Sequence, residues 1–378
     1  MRLGRYVPVL IAAAAAVGLQ QALAWREATH YLTQITMAAY YALVVIGLCL
    51  LMGYAGQVSL GHAGFFAIGG YTSAVLTTYN LMAWRDTPLI AAGRRLGLVL
   101  QRQDLYGADI LSFSPWVALL IALLAAALIA VLIGLPILRL RGHYLAMATL
   151  GFGLIIDRIV LGTPLFGQAD GISNVPPFGL FAGLEVNGRA MFRVSNYYIA
   201  TALVLGAMVL AINLVHSRVG RALRSIHQNE EAAHSLGIDI YRYKLAVFVL
   251  SAVLAAAGGV FLTHYNASIG PSEATVMKSV RYVAIVAIGG MANLWGALVM
   301  GVVLNFLSLR GVFGTYDDAV FGLILVAIMV LAPEGLLRPS TWRRMMSQVR
   351  QTMSRRDFRK PAPSPAAPPP VEAKVHRE

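Results

Sequence analysis

Ten stretches of this chain, each near 20 residues long and almost free of charge, leave little choice of solvent. The hydrocarbon core of a bilayer is about 30 Å thick and a helix rises about 1.5 Å per residue, so about 20 apolar residues cross it. The stretches are Val7–Ala24, Ile35–Met52, Val58–Tyr79, Pro115–Leu138, His143–Gly162, Tyr197–Val215, Lys244–His264, Ser272–Gly290, Leu294–Leu309 and Ala319–Leu337. Composition agrees. Charged residues make up 12% of the chain and hydrophobic ones 58%, where a soluble domain carries about 25% charged. So few charges cannot coat a water-facing surface, which excludes an ordinary cytosolic enzyme and a disordered chain. The expected fold is an all-α polytopic membrane protein of about ten transmembrane helices, some broken or re-entrant.

Charge placement orients these helices, because cytoplasmic loops collect Lys and Arg. If each stretch spans once, Arg2 and Arg5, Arg139 and Arg141, and Arg218, Arg221, Arg224 and Arg242 fall on one side. The basic tail from Arg338 joins them only if Gly289–Asn293 is a tight turn rather than the middle of one long helix. Ten spans with both termini cytoplasmic meet that condition. Residues 1–338 then form the membrane domain, and 339–378 a basic, Pro-rich tail expected to be disordered. From Arg338 onward, ten Lys or Arg against three Asp or Glu supply +7 of the net +13. Basic residues beside a membrane gain about 1 kcal/mol each from anionic headgroups. Membrane lipid is therefore an expected partner, and nucleic acid is not needed to explain the charge. Two outer loops remain, Leu81–Ser114 and Thr163–Asn196, and Leu89–Leu105 within the first reads as a short amphipathic surface helix.

The most unusual stretch is Gly53-Tyr54-Ala55-Gly56-Gln57-Val58-Ser59-Leu60-Gly61-His62-Ala63-Gly64, continuing to Gly69-Gly70-Tyr71. Small residues let membrane helices approach closely, so packing accounts for the glycines. It accounts less well for Gln57, Ser59 and His62, which place polar groups at apolar depth. Transporters use broken helices of this kind near the midplane, where freed amides meet an anionic substrate group. His62 is either satisfied by a neighbouring helix or a substrate ligand. Ser59 and His62, three apart on a helix, also raise an intramembrane serine hydrolase, although no orienting carboxylate lies nearby in sequence. Gly289, Gly290, Gly296 and Gly301 form a short echo of the same pattern. The charges Asp157, Arg158, Lys278 and Arg281 fall near outer helix ends, where anchoring to the interface is the expected role.

The loop His216–Tyr243 carries a second signal. Ala222, Leu223, Ile226, Ala233 and Leu236 recur at helical spacing with charges opposite, so a short amphipathic helix broken by Gly237 is expected. A solvated loop that merely enforces orientation needs no such order, and a docking element does.

Four separated motifs now converge: Gly53–Gly64, the stretch 141–150 (Arg141-Gly142-His143-Tyr144 to Leu150), Arg218–Gly237 and Pro333-Glu334-Gly335-Leu336-Leu337. Together they resemble the permease subunits of bacterial branched-chain amino acid ABC importers, of the LivM type. The resemblance runs from about Val7 to Arg338. It implies that Arg218, Gly220, Arg221, Arg224, Glu230, Glu231, Ala232, Ala233 and Gly237 form a cytoplasmic coupling helix seated on an ATPase subunit. It also implies a complex of two related permeases, two ATP-binding subunits and an external substrate-binding protein, in the bacterial inner membrane. The long loop 81–114 and the basic tail depart from the family pattern.

The chain contains no G-x-x-x-x-G-K-[ST] phosphate loop, no H-E-x-x-H and one cysteine, Cys49. A transport subunit that binds no cofactor itself is therefore expected, with ATP hydrolysed by partners. Gly53, Gly56, Gln57, Ser59, Gly61, His62 and Gly64 would line the route. Urea or short amides are alternative substrates within the resemblance, and a stand-alone channel or secondary transporter is the alternative outside it. The first stretch has two readings. Arg2, Arg5, the apolar run and Ala22-Leu23-Ala24 also fit a signal peptide. Mass spectrometry of the purified chain's N-terminus decides between them: retention as a first helix is expected, and a start at Trp25 identifies cleavage.

Overall fold

A computed structural model describes residues 5–84, 87–95, 97–103, 107, 109–140, 142–180, 183–312 and 314–331. The helices in chain order are α1 (Val7–Trp25), α2 (Tyr31–Cys49), α3 (His62–Thr78), α4 (Pro88–Arg95), α5 (Pro115–Ile137), α6 (His143–Gly162) and α7 (Arg193–His216). They continue as α8 (Arg218–Gln228), α9 (Glu230–Ser235), α10 (Ile240–Asn266), α11 (Val276–Gly289), α12 (Leu294–Leu309) and α13 (Asp317–Leu331). Each of the ten apolar stretches thus contains a helix among the described residues: α1–α3, α5–α7 and α10–α13. The fold is an all-α polytopic membrane protein. The basic tail and the motif at Pro333–Leu337 lie outside the described residues.

Six of these helical stretches are long and apolar enough to cross a membrane: Val7–Trp25, Tyr31–Tyr54, Pro115–Ile137, His143–Gly162, Ala190–His216 and Ile240–Asn266. α3, α11 and α12 have 17, 14 and 16 residues, and α13 has 15 within the described part. At about 1.5 Å per residue α3, α11 and α12 reach roughly 21–26 Å, short of a full crossing. The apolar runs of α3 and α11 are longer than their helices because the chain turns inside them. One turn, at 56–61, precedes α3. The other separates α11 from α12 where charge placement requires it: Gly290 takes φ +99°, and the Asn293 side chain caps α12 by accepting from the Gly296 amide at 3.1 Å.

The expected surface helix Leu89–Leu105 is shorter than its pattern. α4 stops at Arg95, Gly97 turns the chain at φ +70°, and Val99–Gln103 (β1) pairs antiparallel with Asp109–Phe113 (β2). Local periodicity cannot anticipate a strand whose partner lies beyond a turn.

Lipid offers no hydrophobic drive between helices, so their association rests on close packing of small residues. α5 shows the rule in its simplest form. Ala118, Ala122, Ala126 and Ala130 are fully buried, while Leu120, Leu124, Leu128 and Leu132 point outward. The spacing of four puts alanine on the inner face and leucine on the lipid face. α2, α3 and α10 meet still more closely. A Cβ on Gly259 would fall on the Phe66 carbonyl oxygen, one on Gly69 on that of Ala256, and one on Gly258 would lie 2.7 Å from that of Tyr40. α1 lies at the margin, where Tyr6 donates to Asn213 Oδ1 at 2.6 Å and Tyr197 of α7 to the Ala16 carbonyl at 2.9 Å.

Gly259→Leu must therefore separate α3 from α10, and overpacking costs about 1–3 kcal/mol or more. The expected outcome is loss of monodisperse protein on size exclusion in detergent, with Leu124→Ala, on the lipid face, behaving as wild type. A Gly259→Leu protein that elutes and melts normally refutes the close approach.

Candidate functional site

α2 does not finish as an α-helix. Its last turn, Leu50–Tyr54, widens into a π-helical turn, an irregularity that helices carry frequently at functional sites. The chain then leaves helical geometry at Gly56, whose φ of +69° suits a residue without Cβ. α3 starts afresh at His62. The break touches two distant parts of the chain. A Cβ on Gly56 would lie 2.6 Å from Nδ1 of His227, the penultimate residue of α8. A Cβ on Gly53 would fall on the Met291 carbonyl, and the Tyr54 hydroxyl donates to the Ala292 carbonyl at 2.9 Å. The two glycine-rich segments that echo each other in sequence are therefore packed together at this point.

Backbone amides at the break find protein acceptors. Leu60 N donates to Thr149 Oγ1 at 3.0 Å, Ala63 N to Ser279 Oγ at 3.1 Å, and Gly64 N to the Gly61 carbonyl at 3.0 Å. Gly61 and Gly64 face α6, with a Cβ on Gly61 only 2.6 Å from the Thr149 carbonyl. In this conformation hydroxyls of α6 and α11 occupy the places where a substrate's anionic group was expected.

His62 is fully buried and bonded on both sides. Nδ1 lies 3.0 Å from Ser59 Oγ and Nε2 lies 2.8 Å from Ser251 Oγ of α10. The Ser251 hydroxyl donates to the Phe248 carbonyl at 2.9 Å, so it accepts from Nε2–H, and Nδ1 then accepts from Ser59. A neutral imidazole satisfies all three groups. The Ser59–His62 contact is real but comes from the turn, since Ser59 precedes the helix. A serine hydroxyl stands where a hydrolase needs a carboxylate, and Ser59 is buried. The geometry makes His62 a strut that ties the break to α10. Gln57 is different. It is 2% exposed, and neither its carbonyl oxygen nor its amide nitrogen has a partner among the described residues.

The segment after α7 is two helices rather than one. α8 buries Gly220, Ala222, Leu223 and Ile226 and exposes Arg218, Arg221 and Arg224. Gly220 sits against the Leu214 and Val215 carbonyls at the end of α7. The break falls at Asn229, whose side chain caps α9 by accepting from the Ala232 amide at 3.0 Å. A glycine signal alone would not place it there; an N-cap Asn followed by Glu230 and Glu231 is the sequence cue. Gly237, at φ +77°, ends α9 as expected. Ala233 is buried, Glu231 and Ala232 are exposed, and Leu236 at the tip is 76% exposed. Glu230 turns inward and pairs with Lys244 of α10, so it ties α9 to the bundle. Lys244, His227, Thr149, Ser251 and Ser279 are the site residues that sequence reasoning passed over; all but Lys244, which pairs 14 residues back with Glu230, act on partners far along the chain.

Apolar helices packed around a broken polar segment, with a two-helix surface element seated against it, make this a multi-pass membrane protein of the permease class. The family model described as "Branched-chain amino acid transport system / permease component" matches residues 30–332, and the chain belongs to that family. It is 32% identical over 324 residues to the high-affinity branched-chain amino acid transport system permease protein LivM of Escherichia coli K12, covering 80% of this chain and 68% of the relative. It is also 25% identical over 310 residues to LivH, the other such permease protein from the same strain, covering 80% and 92%. A nucleoside ABC transporter permease protein, NupC of Lactococcus lactis, is 25% identical over 268 residues, covering 68% and 74%. No solved structure gives a significant match.

The strut reading of His62 has a direct consequence. His62→Leu leaves the Ser59 hydroxyl without its acceptor and removes the donor to Ser251, at about 1–3 kcal/mol for a buried unsatisfied group. Its melting temperature in detergent should fall by several degrees, and adding Ser59→Ala and Ser251→Ala should restore part of the loss. Gln57→Leu, which removes no bond, should melt at or above wild type. An unchanged midpoint for His62→Leu removes the strut.

Proposed function

We propose that the chain forms half of the translocation pathway of an ATP-driven importer for branched-chain amino acids in a bacterial inner membrane. Its partner across the pathway is a related permease, a reading supported by its likeness to both LivM and LivH. ATP is hydrolysed by two separate subunits, and an external binding protein delivers the substrate. The second reading, a nucleoside permease, rests on the likeness to NupC, and the higher identity to LivM favours the amino acid.

The observation that carries the coupling is the contact of His227 with Gly56. α8 and α9 present Arg218, Arg221, Arg224, Glu231, Ala232 and Leu236 outward, as a face for the ATPase subunit. Glu230 with Lys244 and Gly220 with the end of α7 fasten that face to α10 and α7. A push on it reaches the break between α2 and α3 through His227 without any intervening element. The route lies along Gly53–Gly64, where Gln57 offers an unpaired amide. The excess of Lys and Arg supports a cytoplasmic position for α8, α9 and both termini.

Glu231→Ala combined with Gly237→Trp is expected to abolish co-purification of the ATPase while the membrane protein still accumulates. Undiminished co-purification rules out the coupling face. No associated ATPase with the wild type favours a stand-alone transporter.

A further inference from the structure

Lys278 and Arg281, expected as interfacial anchors, turn into the protein instead. Arg281 reaches Ser308 Oγ of α12 at 2.8 Å and lies over the Phe321 ring of α13. Lys278 enters a polar cluster beside Tyr41, midway along α2 and 15 residues before Gly56, where α8 meets the break. Its ammonium pairs with Oε1 of Glu273, on the short helical turn Pro271–Ala274, and donates to the Tyr41 hydroxyl of α2 at 3.1 Å. The Tyr41 hydroxyl donates to the same Oε1 at 3.0 Å. Oε1 is therefore fully engaged. The side chains of Lys278 and Glu273 are 22% and 15% exposed.

Among the described residues the remaining polar atoms of the cluster have no partner: Glu273 Oε2, the Tyr71 hydroxyl of α3 and the Tyr282 hydroxyl of α11 are all buried without a hydrogen bond. Tyr71 belongs to the same buried cluster as Ala274, on the face where α3 packs against the 271–274 turn, and the Tyr282 ring lies 6.2 Å from that of Tyr41. An unpaired buried polar group costs about 1–3 kcal/mol, so a carboxylate oxygen and two phenol hydroxyls left unpaired mark a place built for something else. One carboxylate oxygen and two phenol oxygens present three acceptors. An ammonium group has three donors. The Lys278 ammonium, held at the rim by one carboxylate oxygen and one phenol, is the matching group for a carboxylate. The cluster is neutral as a whole, as a zwitterion is.

We infer that Glu273, Tyr71 and Tyr282 receive the α-ammonium group of an amino acid and Lys278 its carboxylate, forming a substrate subsite on the far half of the pathway. This inference rests on the amino acid reading of the chain's function and specifies which residues enforce it. The substrate exchanges the internal Glu273–Lys278 pair for two external ones, so arrival of a zwitterion loosens the tie between α11, α2 and the 271–274 turn. Leucine lacking either charged group would leave one member of the pair unmatched.

The test is equilibrium binding of tritiated leucine to the purified permease–ATPase complex without the binding protein. Unlabelled leucine should displace it, and neither 4-methylpentanoate nor isoamylamine should. Glu273→Gln and Lys278→Met should each weaken binding by about tenfold or more. The exchanged pair, Glu273→Lys with Lys278→Glu, should keep the assembled complex yet fail to restore binding, because the internal pair is rebuilt with its ends reversed. Restored binding in the exchanged pair makes the cluster structural and overturns the inference. So does leucine affinity within about twofold of wild type in both single variants. A wild-type complex that binds and transports no α-amino acid defeats the functional reading, and the subsite with it.

Discussion

Everything in this bundle depends on how closely α2, α3 and α10 approach one another. Inside a membrane the solvent is as apolar as the side chains, so burying leucine gains little and backbone contact must hold the helices. Gly69 and Gly259 place α3 and α10 backbone to backbone, and Gly258 brings α10 to the Tyr40 carbonyl of α2. That proximity makes the rest affordable. Ser251 can reach His62 only because α10 lies this near, and with Ser251 the broken segment keeps its only histidine neutral and satisfied.

The break in turn organises the two ends of the molecule. On one side it receives His227, so the paired helices α8 and α9 abut the polar segment itself rather than a distant loop. On the other it is braced by the α11–α12 turn at Met291 and Ala292 and by Ser279, which takes the Ala63 amide. α11 carries Ser279 one residue after Lys278. The helix that closes the break also carries the charge of the Glu273 cluster, and a change at either place is felt along the same 14 residues.

Much of this was legible in the chain and some was not, for reasons that lie in particular residues. The apolar runs located the helices, and His143–Gly162 and Leu294–Leu309 coincide with α6 and α12 to the residue. Gly53–Gly64 announced a break because glycine and polar side chains together oppose a lipid-facing helix. Its details escaped. The same glycines suggested amides open to a ligand, whereas Thr149 and Ser279, 89 and 216 residues away from their amide partners, fill those places. Lys278 looked like an anchor because its sequence neighbours are apolar. Only folding brings Tyr41, 237 positions earlier, against it.

By itself, the sequence determined the solvent, the helices and which side carries the positive charge, since hydropathy and charge act on each segment independently of the others. It also determined the family, through motifs that are each local. The tertiary structure alone decided which polar groups are satisfied and which are left open. Satisfaction is a property of pairs, and in this chain the decisive pairs join residues far apart. His62, suspected as a ligand, is fully bonded; Glu273 Oε2 and the hydroxyls of Tyr71 and Tyr282 have no partner among the described residues.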